Sequence, residues 1–114
     1  MRIKGTIYDI SETQIISSKF RKREFVLMTG QGSLNHEKIP FTLLAHRINL
    51  IDEFRIGQYV EVNFMLRGRE WDTETDQGSK YFLTAEARQI QSIENPYNKM
   101  AQPIEKIKIT ALTN

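Results

Sequence analysis

The stretch Lys19-Phe20-Arg21-Lys22-Arg23-Glu24-Phe25-Val26-Leu27-Met28 joins a basic segment to an apolar one. Four of its first five residues are positively charged, and its second half is rich in strand-forming residues. The pattern therefore predicts one β-strand that runs from a basic rim into a hydrophobic core. Alternation along the strand places Phe25 and Leu27 on the buried face, and Phe20 and Lys22 on the outer face. We expect a ligand to lie on that outer face.

Length and composition indicate a single domain of an ordinary globular protein. The chain has 114 residues, a net charge of +2 and no cysteine. The absence of cysteine excludes disulfides and thiolate metal sites, and it fits a reducing compartment. No apolar run approaches the roughly 20 residues that span a bilayer, and the N-terminus lacks a signal-peptide core. We therefore expect a cytoplasmic protein without a membrane partner.

The segments on either side of the opening stretch alternate in the same way. Residues 2–10 alternate polar and apolar side chains, and the apolar parity changes before Ile10. A bulge or bend would produce that change, and Gly5 is a natural site for it. Residues 11–18 form a polar link or a continuation of the first strand. After the strand at 19–29, the pattern predicts strands at 36–44, 59–67 and 80–91, and a short helix at 45–54.

Three strands, a short helix and two further strands follow the order of the OB-fold. We therefore predict an all-β, five-stranded OB-fold Greek-key barrel with one short helix between strands 3 and 4. A parallel α/β sheet would need several long helices, and a sandwich about seven strands. The barrel is expected to occupy residues 1–94. Residues 95–114 form a tail, interpreted either as an added edge strand or as a disordered segment.

Several short segments also carry a family resemblance. They are Ile3-Lys4-Gly5, Lys22-Arg23-Glu24-Phe25-Val26-Leu27, Ile56-Gly57-Gln58-Tyr59-Val60-Glu61-Val62 and Arg67-Gly68-Arg69-Glu70-Trp71. With these segments the chain resembles a family of short bacterial and phage OB-fold proteins of unknown function, related to single-stranded DNA-binding proteins. The resemblance implies an OB barrel and the binding of single-stranded nucleic acid. The chain departs from typical single-stranded DNA-binding proteins at its end, which is neither acidic nor closed by an aromatic residue.

Cations and aromatic rings form the predicted binding site. Single strands are held by cations that follow the phosphates and by rings that stack on bases. In OB domains the site is the outer face of strands 2 and 3, with the loops between strands 1 and 2 and between strands 4 and 5. We predict single-stranded DNA as the partner, with RNA as an alternative and little sequence preference, in replication, repair or recombination. The predicted contact residues are Lys19, Phe20, Arg21, Lys22, Arg23, Lys38, Arg67, Arg69, Trp71 and Phe82.

An assembly module is the alternative hypothesis. Val26, Met28 and Leu44 are apolar residues on predicted outer faces, and residues 104–112 alternate isoleucine with lysine in part. Exposed apolar residues of this kind can mark a subunit interface. We therefore also expect a homo-oligomer, either a dimer or a tetramer, which is compatible with nucleic-acid binding.

Catalytic and cofactor motifs are not found in the sequence. There is no glycine-rich phosphate loop, and the two histidines, His36 and His46, are ten residues apart without a metal-binding pattern. The acidic residues at 72–76 lack the glycine and terminal glutamate of a calcium-binding EF-hand loop. We predict that the protein is not an enzyme and has no cofactor and no metal site.

Overall fold

A computed structural model describes residues 1–30, 36–72 and 78–95 of the chain. The predicted tail beyond Asn95 lies outside the described residues, as does most of the acidic segment that follows Asp72. No helix in the described ranges is long and apolar enough to cross a membrane. The elements are β1 (Arg2–Ile10), β2 (Gln14–Ser17), β3 (Phe20–Thr29), β4 (Glu37–Leu44), a 3₁₀ helix (Ala45–Glu53), β5 (Tyr59–Asp72) and β6 (Ser79–Ser92).

The strands form one sheet that closes on itself. Their order is β1-β5-β6-β4-β3-β2, and β1 also pairs with β3. All pairs are antiparallel except the short contact between β4 and β6. The five predicted strands and the helix between the third and fourth of them are confirmed. The additional strand, β2, lies in the predicted polar link, where Gln14 and Ile15 pair with Lys22 and Arg21 across a tight turn.

Closure of the barrel depends on β1 changing its partner near Gly5. Residues 2–6 of β1 pair with β5, whereas residues 6–10 pair with β3. A Cβ on Gly5 would lie 2.6 Å from the carbonyl oxygen of Met28, so only glycine allows this close approach. A bulge is present in β1, but it lies at Tyr8, which is the extra residue between the pairs that Ile7 and Asp9 form with β3. Its predicted position at Gly5 was wrong, because Gly5 serves the close packing of β1 on β3.

Apolar residues from every long strand and the 3₁₀ helix form the core. Phe25 stacks on Phe41 with ring centroids 5.4 Å apart, and Phe64 meets Phe41 edge-on at 5.2 Å. The predicted burial of Phe25 and Leu27 is confirmed. The fully enclosed members of the core are Ile7, Phe25, Leu27, Phe41, Leu43, Ile51, Val60, Val62 and Ala87.

β5 and β6 continue as a two-stranded hairpin beyond the barrel. Val60 and Val62 are buried, but Leu66, on the same side of β5, is 48% exposed because it lies past the end of the core. The alternation of residues 59–67 predicts that Leu66 faces the core together with Val60 and Val62, and the structure corrects this. We call the side with Leu66, Tyr81 and Leu83 the back face. The opposite side, which we call the groove face, carries Arg67, Arg69, Trp71, Lys80, Phe82 and Thr84.

Candidate nucleic-acid interface

A groove separates the outer face of β3 and β4 from the hairpin. It has a volume of about 170 Å³. Four predicted contact residues, Phe20, Lys22, Arg67 and Arg69, meet in this groove although they come from distant parts of the sequence. The complete lining is Phe20, Lys22, Thr42, Leu44, Arg67, Arg69, Thr84 and Glu86.

Two aromatic rings extend the groove along the hairpin. Trp71 and Phe82 are 67% and 52% exposed. Their ring centroids are 6.4 Å apart, with an angle of 65° between the rings. Arg69 stands directly opposite Phe82 in the ladder, so a cation lies beside the ring pair. Exposed rings that contact each other and a cation offer a surface on which bases can stack.

The β2–β3 hairpin supplies the other side of the site. Phe20 is 39% exposed at the groove wall, and Lys22 forms an ion pair with Glu24 at 3.0 Å. Lys19 lies in the turn before Phe20, where its backbone N–H donates a hydrogen bond to Ser17 Oγ at 3.4 Å. Gln14, opposite Lys22, is a neighbour of the groove that the sequence did not single out.

Three predicted contact residues lie away from the groove. Arg21 lies on the side of β3 that faces away from the groove, directly opposite Ile15 of β2. Lys38 lies further along the sheet, where its ammonium group donates a hydrogen bond to the Tyr8 hydroxyl at 3.1 Å and sits 4.3 Å from the centre of that ring.

Arg23 is the third predicted contact residue that lies away from the groove, because its side chain is on the core side of β3. Its Nε donates to the Ser11 carbonyl oxygen at 2.9 Å, and a terminal nitrogen pairs with Asp52. These contacts tie the chain before β3 to the 3₁₀ helix. The geometry therefore gives Arg23 structural partners outside the groove lining.

Glu86 is a buried carboxylate at the floor of the groove, and it was not predicted as a site residue. Arg67 Nε donates to Glu86 Oε2 at 2.9 Å, whereas Arg88 Nε and an Arg47 terminal nitrogen lie 3.3 and 3.9 Å from Oε1. The hydrogen bond from Arg67 holds the pKa of Glu86 below its ordinary value, with help from the charges of all three arginines and against the effect of burial. Glu86 is therefore ionised at pH 7.

The alternation of Phe82, Thr84 and Glu86 along β6 could have identified Glu86 as part of the site. Arg88 lies in a β-bulge, because Asn63 pairs with Gln89 while Phe64 pairs with Ala87. Such a bulge re-aims side chains and is invisible in the strand pattern. In the described ranges, no three His, Cys, Asp or Glu side chains are grouped to hold a metal ion.

Comparison with known proteins places the chain in a family. The model of DUF3127, a domain of unknown function, matches residues 2–91. The chain belongs to the DUF3127 family. This confirms the predicted resemblance to a family of unknown function. No match was found among curated proteins.

Solved structures share the fold of this DUF3127 chain. The mitochondrial single-stranded DNA-binding protein Rim1 from S. cerevisiae has a TM-score of 0.59 and 21% identity, over 83% of this chain and 94% of Rim1. The N-terminal domain of PriB from Thermoanaerobacter tencongensis, described as dimeric, has a TM-score of 0.57 and 18% identity, over 83% of this chain and 96% of that domain. These similarities confirm the OB-fold.

Proposed function

We propose that this DUF3127 protein binds single-stranded DNA with little sequence preference and acts as a binding module rather than an enzyme. The observation that supports this most directly is the exposed Trp71–Phe82 ring pair, which continues the groove at Arg69. Stacking on rings needs bases with free faces, which only unpaired strands offer. It also tolerates any base, because every base has a π-face.

The charges around the groove suggest how a single DNA strand would lie in it. Lys22 and Arg69 line the groove at partly exposed positions, and Lys19 is exposed in the neighbouring turn. The carboxylates on the same outer face are already paired, Glu24 with Lys22 and Glu86 with three arginines, so the cations with free donors are the ones left for phosphates. We therefore propose that phosphates follow the cations and that bases turn toward Phe20 and the floor.

The structural neighbours agree with this proposal. Rim1 is named a single-stranded DNA-binding protein, and its fold is the one that presents this groove here. A role in DNA replication, repair or recombination is part of the proposal, and RNA remains the alternative ligand. We further propose that residues 1–94 form the binding domain and that residues 95–114 are a tail outside it.

Titration with oligothymidylate tests the proposal. Binding is followed by Trp71 fluorescence and by the anisotropy of a labelled strand at several salt concentrations. We expect saturable binding whose log–log salt slope falls by about 0.7 for each phosphate-binding cation removed. The double variant Lys22→Ala/Arg69→Ala should therefore bind more weakly, with a slope reduced by about 1.4.

A matched variant controls for general charge effects. Arg55→Ala removes an exposed cation just before β5, at the end of that strand opposite the hairpin. It should leave both the affinity and the salt slope unchanged. If no single strand binds at low salt, or if Arg55→Ala weakens binding as much as the double variant, the proposal is wrong. Oligouridylate in parallel distinguishes RNA from DNA.

Assembly through the back face is a second candidate function. Tyr81 and Leu83 are 76% and 72% exposed on that face, next to the exposed Leu66. The PriB domain in the comparison is described as dimeric. Sedimentation of the full chain and of Leu83→Ser tests this candidate. A dimer or tetramer that dissociates in the variant would support it, and a monomer at all concentrations would contradict it.

A further inference from the structure

Arg67 is oriented by a buried anion in a way that the other cations of the groove are not. The Glu86 side chain is only 4% exposed, and its Oε2 accepts the hydrogen bond from Arg67 Nε. Arg47 and Arg88 flank the other carboxylate oxygen, so Glu86 is fixed from three directions. By contrast, Arg69 forms no side-chain hydrogen bond or ion pair with any residue in the described ranges.

The bond to Glu86 uses the inner edge of the Arg67 guanidinium group. The side chain is 51% exposed and lines the groove. For its two terminal amino groups, no acceptor is found among residues 1–30, 36–72 and 78–95. Arg67 thus presents a planar, pre-oriented pair of donors to whatever occupies the groove.

The surroundings of Arg67 include features that suit a base. Glu86 already occupies the Nε edge of Arg67, and the other nearby carboxylate on this face, Glu24, is paired with Lys22. Phe20 offers a wall, while Thr42 and Thr84 add hydroxyl groups to the lining. An arginine fork recognises two neighbouring acceptors on one base edge, and guanine offers them as O6 and N7.

We propose that Arg67, positioned by Glu86, is a specificity-determining residue that selects guanine at one position of the bound single strand. The inference rests on the proposed binding of single strands and refines it, since the remaining contacts are sequence-tolerant. Adenine presents a donor at N6 where guanine presents O6, and thymine lacks N7. Arg67 would bind O6 and N7 through its two terminal amino groups, while Glu86 holds Nε.

Oligothymidylates that carry single, spaced guanines test the proposal. The spacing avoids guanine quadruplexes, and strands with adenine or cytosine at the same positions serve for comparison. We expect the guanine strands to bind wild-type protein roughly 5- to 150-fold more tightly than oligothymidylate. Inosine, which keeps O6 and N7, should retain the preference, whereas 7-deazaguanine, which lacks N7, should lose it.

Two variants assign the preference to the Arg67–Glu86 pair. Arg67→Ala removes the donors to O6 and N7, and Glu86→Gln keeps the shape but loses the anion. Both should reduce the ratio of affinities for guanine and thymine strands toward one, and Arg67→Ala remains decisive if Glu86→Gln folds poorly. Arg69→Ala, the matched control on the same hairpin face, should keep the ratio whatever its effect on the individual affinities.

The outcomes separate this inference from the proposed function. Equal affinity for all strands would overturn guanine selection while supporting single-strand binding. A preference for cytosine, whose unpaired O2 and N3 are also neighbouring acceptors, would overturn it as well. So would a guanine preference that survives in Arg67→Ala. Failure of every strand to bind would overturn the proposed function, and the inference with it.

Discussion

The two halves of the β5–β6 pair follow the same alternating pattern and differ in what surrounds them. In the barrel half, Val60, Val62 and Ala87 are completely buried. In the hairpin half, Leu66 and Leu83 continue the same side of the pair but are 48% and 72% exposed. The strands themselves do not change at the boundary, because the ladder runs unbroken from Phe64 to Asp72. What changes at the boundary is that the opposing layer of the barrel ends there.

This contrast separates residues that stabilise the fold from residues available for binding. A two-stranded ribbon without a covering layer contributes little to stability. Large apolar and aromatic side chains that a protein keeps exposed on such a ribbon point to a binding surface. Substitutions in the barrel half are therefore expected to lower the stability of the fold. Substitutions in the hairpin half are expected to change binding.

The largest effect is expected for Phe41→Ala in the barrel. Phe41 is fully buried and lies between the rings of Phe25 and Phe64. Its removal leaves a cavity that the surrounding strands cannot fill, and we expect the free energy of unfolding to fall by about 3–5 kcal/mol. Urea denaturation followed by circular dichroism measures the change.

Leu83→Ala provides the comparison from the hairpin half. Leu83 is also an apolar residue within a strand. Its side chain is 72% exposed, so its removal breaks few contacts of the folded state. Its free energy of unfolding should stay within about 0.5 kcal/mol of wild type. Equal losses in the two variants would refute the division between the two halves.

Glu86→Gln, at the boundary between the halves, should have an intermediate effect. Glu86 accepts the charged hydrogen bond from Arg67 and attracts the charges of Arg47 and Arg88. We expect the free energy of unfolding to fall by about 1.5–3 kcal/mol at pH 7. Because the folded-state pKa of Glu86 lies below its ordinary value, this contribution is fully present above the unfolded-state pKa. It is lost as the pH falls through the folded-state pKa.

The difference between wild type and Glu86→Gln isolates this single group. Denaturation curves of both proteins at pH 7 and at successively lower pH should converge in acid, since the other carboxyl groups titrate in both. A stability gap that stays constant as the pH falls, or that widens, would contradict the depressed pKa. The measurement therefore tests whether the three arginines act through the charge of Glu86 or through packing alone.

Most of the fold was predictable from sequence because its signals are local. The alternation in residues 59–67 and the apolar run Phe25-Val26-Leu27 each define a strand face, and the order of elements then indicates the OB-fold. The closing pair of β1 with β3 and the bulge at Tyr8 were less accessible. They depend on the change of partner at Gly5, which the sequence shows only as a glycine.

The candidate site was predictable only in part, because it depends on the pairing of distant strands. Parity along one strand correctly grouped Phe20 with Lys22 on an outer face, and both line the groove. It could not show that Arg23 pairs with Asp52, which lies on the 3₁₀ helix. It also could not show that Glu86 gathers three arginines, two of which come from β5 and the helix.

The smallest effect on stability, with a clear effect on binding, is expected for Phe82→Ala. Phe82 lies on the groove face, where it is 52% exposed and contacts Trp71 edge-on. Its loss should change the free energy of unfolding by no more than about 0.5 kcal/mol. Oligothymidylate binding should weaken by about 1–3 kcal/mol if the ring stacks on a base. Anisotropy of a labelled strand measures this independently of Trp71, whose emission depends on its contact with Phe82.

Tyr81→Ala is the matched control, since Tyr81 is the preceding residue, is also aromatic and exposed, and points to the back face. It should leave oligothymidylate affinity unchanged. If both variants weaken binding equally, the bound DNA strand is not confined to the groove face. If Tyr81→Ala alone alters sedimentation while Phe82→Ala alone alters DNA affinity, then one two-stranded ribbon carries two separate surfaces. The pleat of the sheet, which sends neighbouring side chains to opposite sides, is sufficient to keep those surfaces apart.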